Sequence, residues 1–174
     1  MAAFITSAEN YRRFRADLDG RVEGAGFFLA AHDPAERAFR LREWRAITSD
    51  GFESRSEFHL VLRDEIRAEI IKWAWDAGAS LVEAHSHDLG MASFSLSDIY
   101  GLEQWVPHLW WRLRGRPYGA IVVDGETLDA LAWIEGADEP EQVVSLAIDG
   151  DGSIAATGQT LAGLPKRTRG IHER

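Results

Sequence analysis

The chain has 174 residues, 45% of them hydrophobic, a formal net charge of −9 and no cysteine. That suffices for one packed domain and is short for two, and the missing thiol excludes disulfides, thiolate metal sites, cysteine-protease chemistry and the Cys-ligated zinc deaminases. The acidic balance argues against nucleic acid as a partner; no window approaches the apolar length of a membrane span, and the N-terminus lacks a signal pattern, so a cytoplasmic protein with no membrane contact is expected.

The first predicted element is a helix over 7–19. Ser7 can cap it, Tyr11, Phe14 and Leu18 recur on one face, and Gly20 ends it. Apolar residues over 22–31 predict the first strand, and Asp33-Pro34 a turn. Alternation at Phe39/Leu41 and at Phe58/Leu60/Leu62 predicts half-buried strands over 37–47 and 57–62. A second helix is expected over 64–77, with Ile66, Ile70, Trp73 and Ala74 on one stripe and Gly78 as its stop. The short apolar run 80–86 reads as a buried strand. A loop follows through Gly90, and then a helix from Leu96 with Ser95 as its cap. Val106-Pro107 should interrupt that helix, leaving 109–113 as a further turn or two. Three more segments complete the sheet. A central strand is expected over 118–123, Asp124-Gly125 turns it into a strand over 127–134, and 143–148 and 153–157 form a last hairpin around the Asp149-Gly150-Asp151-Gly152 turn. These elements predict a single α/β domain over 1–160, with helices against a mixed, curved sheet, and a basic tail over 161–174.

The chemistry concentrates in the segment from Val82 to Asp98. Side chains two apart on a strand share a face, so His85 and His87 should point the same way. Asp98 falls in the first turn of the helix capped by Ser95, where the positive end of the helix dipole keeps a carboxylate ionised. Two imidazoles and one carboxylate form an open three-ligand set, the pattern of a mononuclear catalytic zinc site with its fourth position left for water. The plainer alternative splits the set into two strand histidines and an S-x-x-D capping pair. Glu83 shares the strand face of both histidines and is a candidate base or a partner orienting an imidazole. His32 and His59 are not expected to bind metal, whereas His108 lies where it could reach the rim. Trp105, Trp110, Trp111 and Trp133 are read as core and rim packing, some of them possible walls of a peptide groove.

The run His85-x-His87, then ten residues to Asp98 with Ser95 three before it, resembles the signature of the JAMM/MPN (JAB-domain) zinc metallopeptidases. So does the upstream glutamate of Val22-Glu23-Gly24-Ala25-Gly26, which precedes a glycine-containing apolar stretch. The resemblance spans most of the chain in order. One departure is Asp88, where the family usually has proline after the second histidine. It implies an MPN/JAB, cytidine-deaminase-like architecture, with Zn2+ on His85, His87 and Asp98, Glu23 as the general base and Ser95 helping to stabilise the oxyanion. The implied activity is hydrolysis of the amide or isopeptide bond after the C-terminus of a ubiquitin-like protein, as deconjugation or precursor processing. Small bacterial relatives of this deubiquitinase-like kind occur beside E1/E2-like conjugation enzymes, including antiphage systems, and in sulfur-carrier pathways. The segment from Ser95 to Arg116 has no room for the zinc-stabilised insertion of chain-specific eukaryotic deubiquitinases, so a minimal enzyme is implied. The alternatives are a non-catalytic MPN scaffold and a zinc amidohydrolase acting on another peptide or a sulfur-carrier substrate.

Overall fold

Period-two alternation dominates this chain, and the computed structural model, which describes residues 1–20, 22–55 and 60–164, is mostly sheet. In chain order the elements are β1 (Ala2–Ser7), α1 (Ala8–Leu18), β2 (Ala25–Asp33), β3 (Ala38–Ala46), β4 (Phe52–Arg55), β5 (Leu60–Leu62), α2 (Asp64–Ala77), β6 (Ser80–Ser86), α3 (Leu96–Arg112), β7 (Tyr118–Asp124), β8 (Thr127–Trp133), β9 (Glu141–Asp149), β10 (Gly152–Ala155) and α4 (Gln159–Gly163). β4 and β5 pair only with each other, as a separate antiparallel ribbon.

The main sheet runs β1-β3-β2-β6-β7-β8-β9, and β9 pairs again with β1, so seven strands close into a barrel with β10 appended to β9. Parallel pairs (β1–β3, β6–β7, β9–β1) are interspersed with antiparallel ones. This overturns the expected sheet flanked by helices and, with it, the MPN/JAB, cytidine-deaminase-like architecture. The cause is β1, a strand ahead of the first predicted element. Ala2, Phe4 and Thr6 are buried on one side of a strand only six residues long. Its parallel ladders to both β3 and β9 remove the two free edges an open sheet would have kept.

Closure sorts the side chains into two cores. Phe4, Phe28, Phe39, Val82, Ile121, Leu128 and Leu146 come from seven different strands and meet in one cluster, which is therefore the barrel interior; α1 adds Phe14 and Leu18 to it. Their strand neighbours Phe27, Leu81, Val122 and Leu131 point outward and are covered by Ile70 and Ala74 of α2 and Leu102, Val106 and Leu109 of α3. The interior is tight enough to dictate glycine at two strand positions. A Cβ on Gly26 would lie 2.3 Å from the Trp44 ring and 2.7 Å from the Arg45 carbonyl oxygen, and one on Gly119 would lie 2.7 Å from the Phe4 ring.

Several boundaries differ from expectation. The predicted interruption at Val106-Pro107 is absent, since α3 runs unbroken through Pro107. An internal proline costs about 3 kcal/mol, and burial of Leu102, Val106 and Leu109 against the barrel offsets it. The strand predicted from residue 22 begins at Ala25, and β4 and α4 were not anticipated. Positions 57–59 of the predicted strand 57–62 lie outside the described residues, as do 165–174 of the predicted tail. Among the described residues no helix is long and apolar enough to cross a membrane. Because the barrel has no slack at its narrowest contact, Gly26→Ala should destabilise the fold by about 1–3 kcal/mol, the usual cost of overpacking a core; chemical denaturation measures this.

Candidate metal centre

β6 lies between β2 and β7, antiparallel to the first and parallel to the second. The pairing runs past the end of the strand, because the His87 amide donates to the Val123 carbonyl at 2.8 Å and the Ser86 amide to the Gly24 carbonyl at 3.0 Å. His87 therefore keeps the strand's alternation, and both imidazoles lie on the barrel's outer wall beneath the start of α3. Both residues are buried.

α3 begins with a complete capping box. Ser95 Oγ accepts from the Asp98 amide at 3.1 Å, and Asp98 Oδ2 accepts from the Ser95 amide at 2.7 Å and from the Ser95 hydroxyl at 2.8 Å. The same oxygen lies 3.4 Å from His85 Nε2 and 3.2 Å from His87 Nε2, while the two Nε2 atoms are 3.2 Å apart. These atoms make a nearly equilateral triangle. Four ligands placed tetrahedrally at zinc's bond lengths are separated by about 3.3 Å, so the triangle has the size of one face of that tetrahedron. Among the described residues this is the group of histidines and carboxylates able to hold a metal ion.

The electrostatics favour a charged carboxylate at Asp98. Burial alone would raise the Asp98 carboxyl, but hydrogen bonds with both imidazoles and the Ser95 amide hold it far below the usual carboxylate range. Burial opposes protonation of His85, yet the adjacent Asp98 carboxylate outweighs it and raises the imidazole's pKa. Glu23 is 8% exposed, and its Oε1 lies 3.6 Å from His87 Nε2. Its backbone is fixed beside the triangle, since Gly24 is paired with Ser86 through backbone and side chain and Arg55 Nε donates to the Glu23 carbonyl at 2.7 Å. It stands just before β2 rather than on an early strand.

Of the sequence-predicted residues, His85, His87, Asp98, Ser95 and Glu23 all converge. Glu83 takes a different place. Its Oε2 accepts from the Tyr118 hydroxyl, which in turn accepts from Trp105 Nε1 at 3.1 Å, and burial pushes the carboxyl's pKa up despite that hydrogen bond. Glu83 and His85 line a cavity bounded by Leu60, Leu62, Gly101 and Trp105. His108 stands against Trp105 on α3 and lines the next depression along, away from the triangle. His32 packs on Phe39, far along β2, and His59 lies outside the described residues.

The loop between His87 and Ser95 is held by groups that sequence reasoning missed. Asp124 Oδ2 accepts from the amides of Leu89 and Gly90 at 2.7 and 3.0 Å. Thr127 Oγ1 accepts from Ala92, and Thr160 Oγ1 from Phe94. Thr160 is itself tied by its amide and hydroxyl to the fully buried Asp129. This network gives the loop a fixed path with Asp88 at the position where the JAMM/MPN pattern usually has proline. Only the Asp124-Gly125 turn signal hinted at it, and that signal says nothing about which amides the carboxylate receives.

No family model matches the chain, and no curated protein does. Among solved structures, it is similar to a protein from Desulfitobacterium hafniense determined in solution, at 12% identity and a TM-score of 0.55, over 82% of this chain and 92% of that one. A protein from Salinibacter ruber, also determined in solution, aligns at 20% identity and a TM-score of 0.47 over 89% of this chain and 96% of that one. The first of these likenesses is one of fold alone.

Proposed function

We propose that this protein is a zinc-dependent hydrolase of an amide or isopeptide bond, acting after the C-terminus of a ubiquitin-like protein. The observation that carries the proposal is the triangle of His85 Nε2, His87 Nε2 and Asp98 Oδ2, with edges of 3.2–3.4 Å and a buried carboxylate beside it. The bond class and substrate come from the motif's resemblance to the JAMM/MPN metallopeptidases. The corrected architecture does not remove that support, because a site's chemistry belongs to its residues and not to the sheet that carries them.

His85, His87 and Asp98 would hold the ion, and two neutral rings with one carboxylate are a donor set suited to zinc. When bound, zinc supplies Lewis acidity at an open coordination position. Glu23, on the same side of the barrel wall, accepts a proton from the attacking water and returns it to the leaving amine. Its burial removes competing solvent from that exchange. Ser95 serves first as the helix cap that aims Asp98, since its single hydroxyl proton goes to Asp98 Oδ2. Once Asp98 is engaged elsewhere, that hydroxyl is available to a developing oxyanion, the role the resemblance assigns to it. Glu23 Oε1 lies 3.6 Å from His87 Nε2 beside the triangle, whereas Glu83 is turned to Tyr118, and this position favours Glu23 as the base.

Metal analysis of the purified protein, coupled to single-turnover cleavage of a ubiquitin-like fusion, tests the proposal. One zinc per chain with cleavage is expected; zinc without cleavage of any such fusion would move the reading to another amide. Glu23→Gln should keep the zinc and lose activity by about a hundredfold to ten-thousandfold, the usual weight of a general base. Activity that survives this change but not Glu83→Gln would reassign the base. Asp124→Ala, which frees the Leu89 and Gly90 amides, should weaken zinc affinity about tenfold to a hundredfold, as loss of a group supporting metal ligands does; competition with a chromogenic chelator measures it.

A further inference from the structure

The cavity beside the metal triangle does not end at α3. It shares Arg67, Gly101 and Trp105 with a second depression along the seam between α2 and α3, and that one shares Ala68, Ile71 and Arg112 with a third. The path leads away from His85 and ends at a patch of Trp75, Trp110, Trp111, Arg112 and Arg114. Two features of this seam are costly to the chain alone. Gly101 sits inside a helix with nothing within 4 Å of where its Cβ would be, and Arg114 takes a left-handed φ of 54°. Trp111 is 72% exposed, against the expectation that it packs in the core or at its rim, and Trp75 is 43% exposed.

The patch is basic on a chain that is acidic overall. Arg114 lies 5.4 Å over the Trp75 ring and Arg112 5.9 Å over the Trp111 ring, and among the described residues neither guanidinium meets a carboxylate. Arg116 differs, since its Nη1 is spent on the carbonyls of Ala74 and Ala79 at the end of α2. Guanidiniums held over exposed indoles offer charge and apolar area together.

We propose that the α2–α3 seam docks an acidic segment of a partner protein that carries apolar side chains, with the carboxylates on Arg112 and Arg114 and the apolar groups between Trp75 and Trp111. A second copy related by a two-fold axis would bring two copies of this basic patch together, which like charge opposes. A long polyanion such as nucleic acid would meet the acidic remainder of the surface beyond this short patch. Because the path leads to the metal triangle, the docked segment belongs to the substrate itself. That last identification rests on the hydrolase reading; the docking surface does not.

Fluorescence anisotropy of a short labelled peptide alternating glutamate with leucine tests the surface directly, with its glutamine counterpart and a thymidine oligonucleotide as controls. The full-length protein should bind the acidic peptide in preference to both, and more weakly as salt rises. Trp111→Ser and Arg114→Gly should each weaken binding about tenfold and leave zinc content unchanged. Arg114→Gly should also match or exceed the parent's Tm, because glycine tolerates that backbone angle, and this separates loss of a docking contact from loss of fold. Equal binding of acidic and neutral peptides, binding indifferent to both substitutions, preference for the oligonucleotide, or a dimer in sedimentation that Trp111→Ser abolishes would each overturn the proposal. A protein that binds the peptide but holds no zinc would keep the docking surface and lose the hydrolase.

Discussion

One carboxylate oxygen holds the site together. Asp98 Oδ2 receives the Ser95 amide and hydroxyl and faces both imidazoles, so the start of α3 and the end of β6 are locked through a single atom. Each partner alone is ordinary. The capping box belongs to α3 and the shared imidazole face to β6, and neither needs the other to form. Their meeting depends on the barrel, which presents β6 at its outer wall, and on the apolar face of α3, which seats the helix there through Leu102, Val106 and Leu109. A capping carboxylate has thereby become a candidate ligand at no further cost in backbone geometry.

The loop that joins these two elements is fixed by the opposite strategy. Its amides at 89, 90, 92 and 94 find no ladder or helix of their own, and a buried amide without a partner is expensive. Side chains from the β7–β8 turn and from α4 receive them one after another. The helix α4, remote in sequence, thus shapes the loop between His87 and Ser95 through Thr160 and the fully buried Asp129. A proline after the second histidine would stiffen the same loop covalently; here hydrogen bonds from outside the loop do that work.

The site was more legible in the sequence than the fold was. His85, His87, Ser95 and Asp98 announce themselves because strand parity and helix capping are local rules, and local rules survive whatever the remainder of the chain does. α2 was readable for the same reason, with Ile66, Ile70 and Ala74 at helical spacing and Gly78 in the left-handed conformation at its end. Closure of the barrel was not readable. It rests on β1, whose short alternation at Ala2, Phe4 and Thr6 runs straight into the Ser7 cap and is overshadowed by the helix signal behind it. Pro107 misled in the other direction, because a local breaker was outweighed by packing that no single window reveals. The Asp124 and Thr160 contacts lie 34 to 66 residues away along the chain, beyond the reach of any spacing rule.

The central claim is that two imidazoles and one carboxylate hold a single zinc ion on the outer wall of this barrel. X-ray absorption at the zinc edge of the loaded protein tests it most directly. Two imidazole scatterers at about 2.0–2.1 Å with the remaining ligands oxygen, reduced to a single imidazole in His85→Ala, is the result expected. An all-oxygen shell, or a spectrum that His85→Ala leaves unchanged, would contradict it.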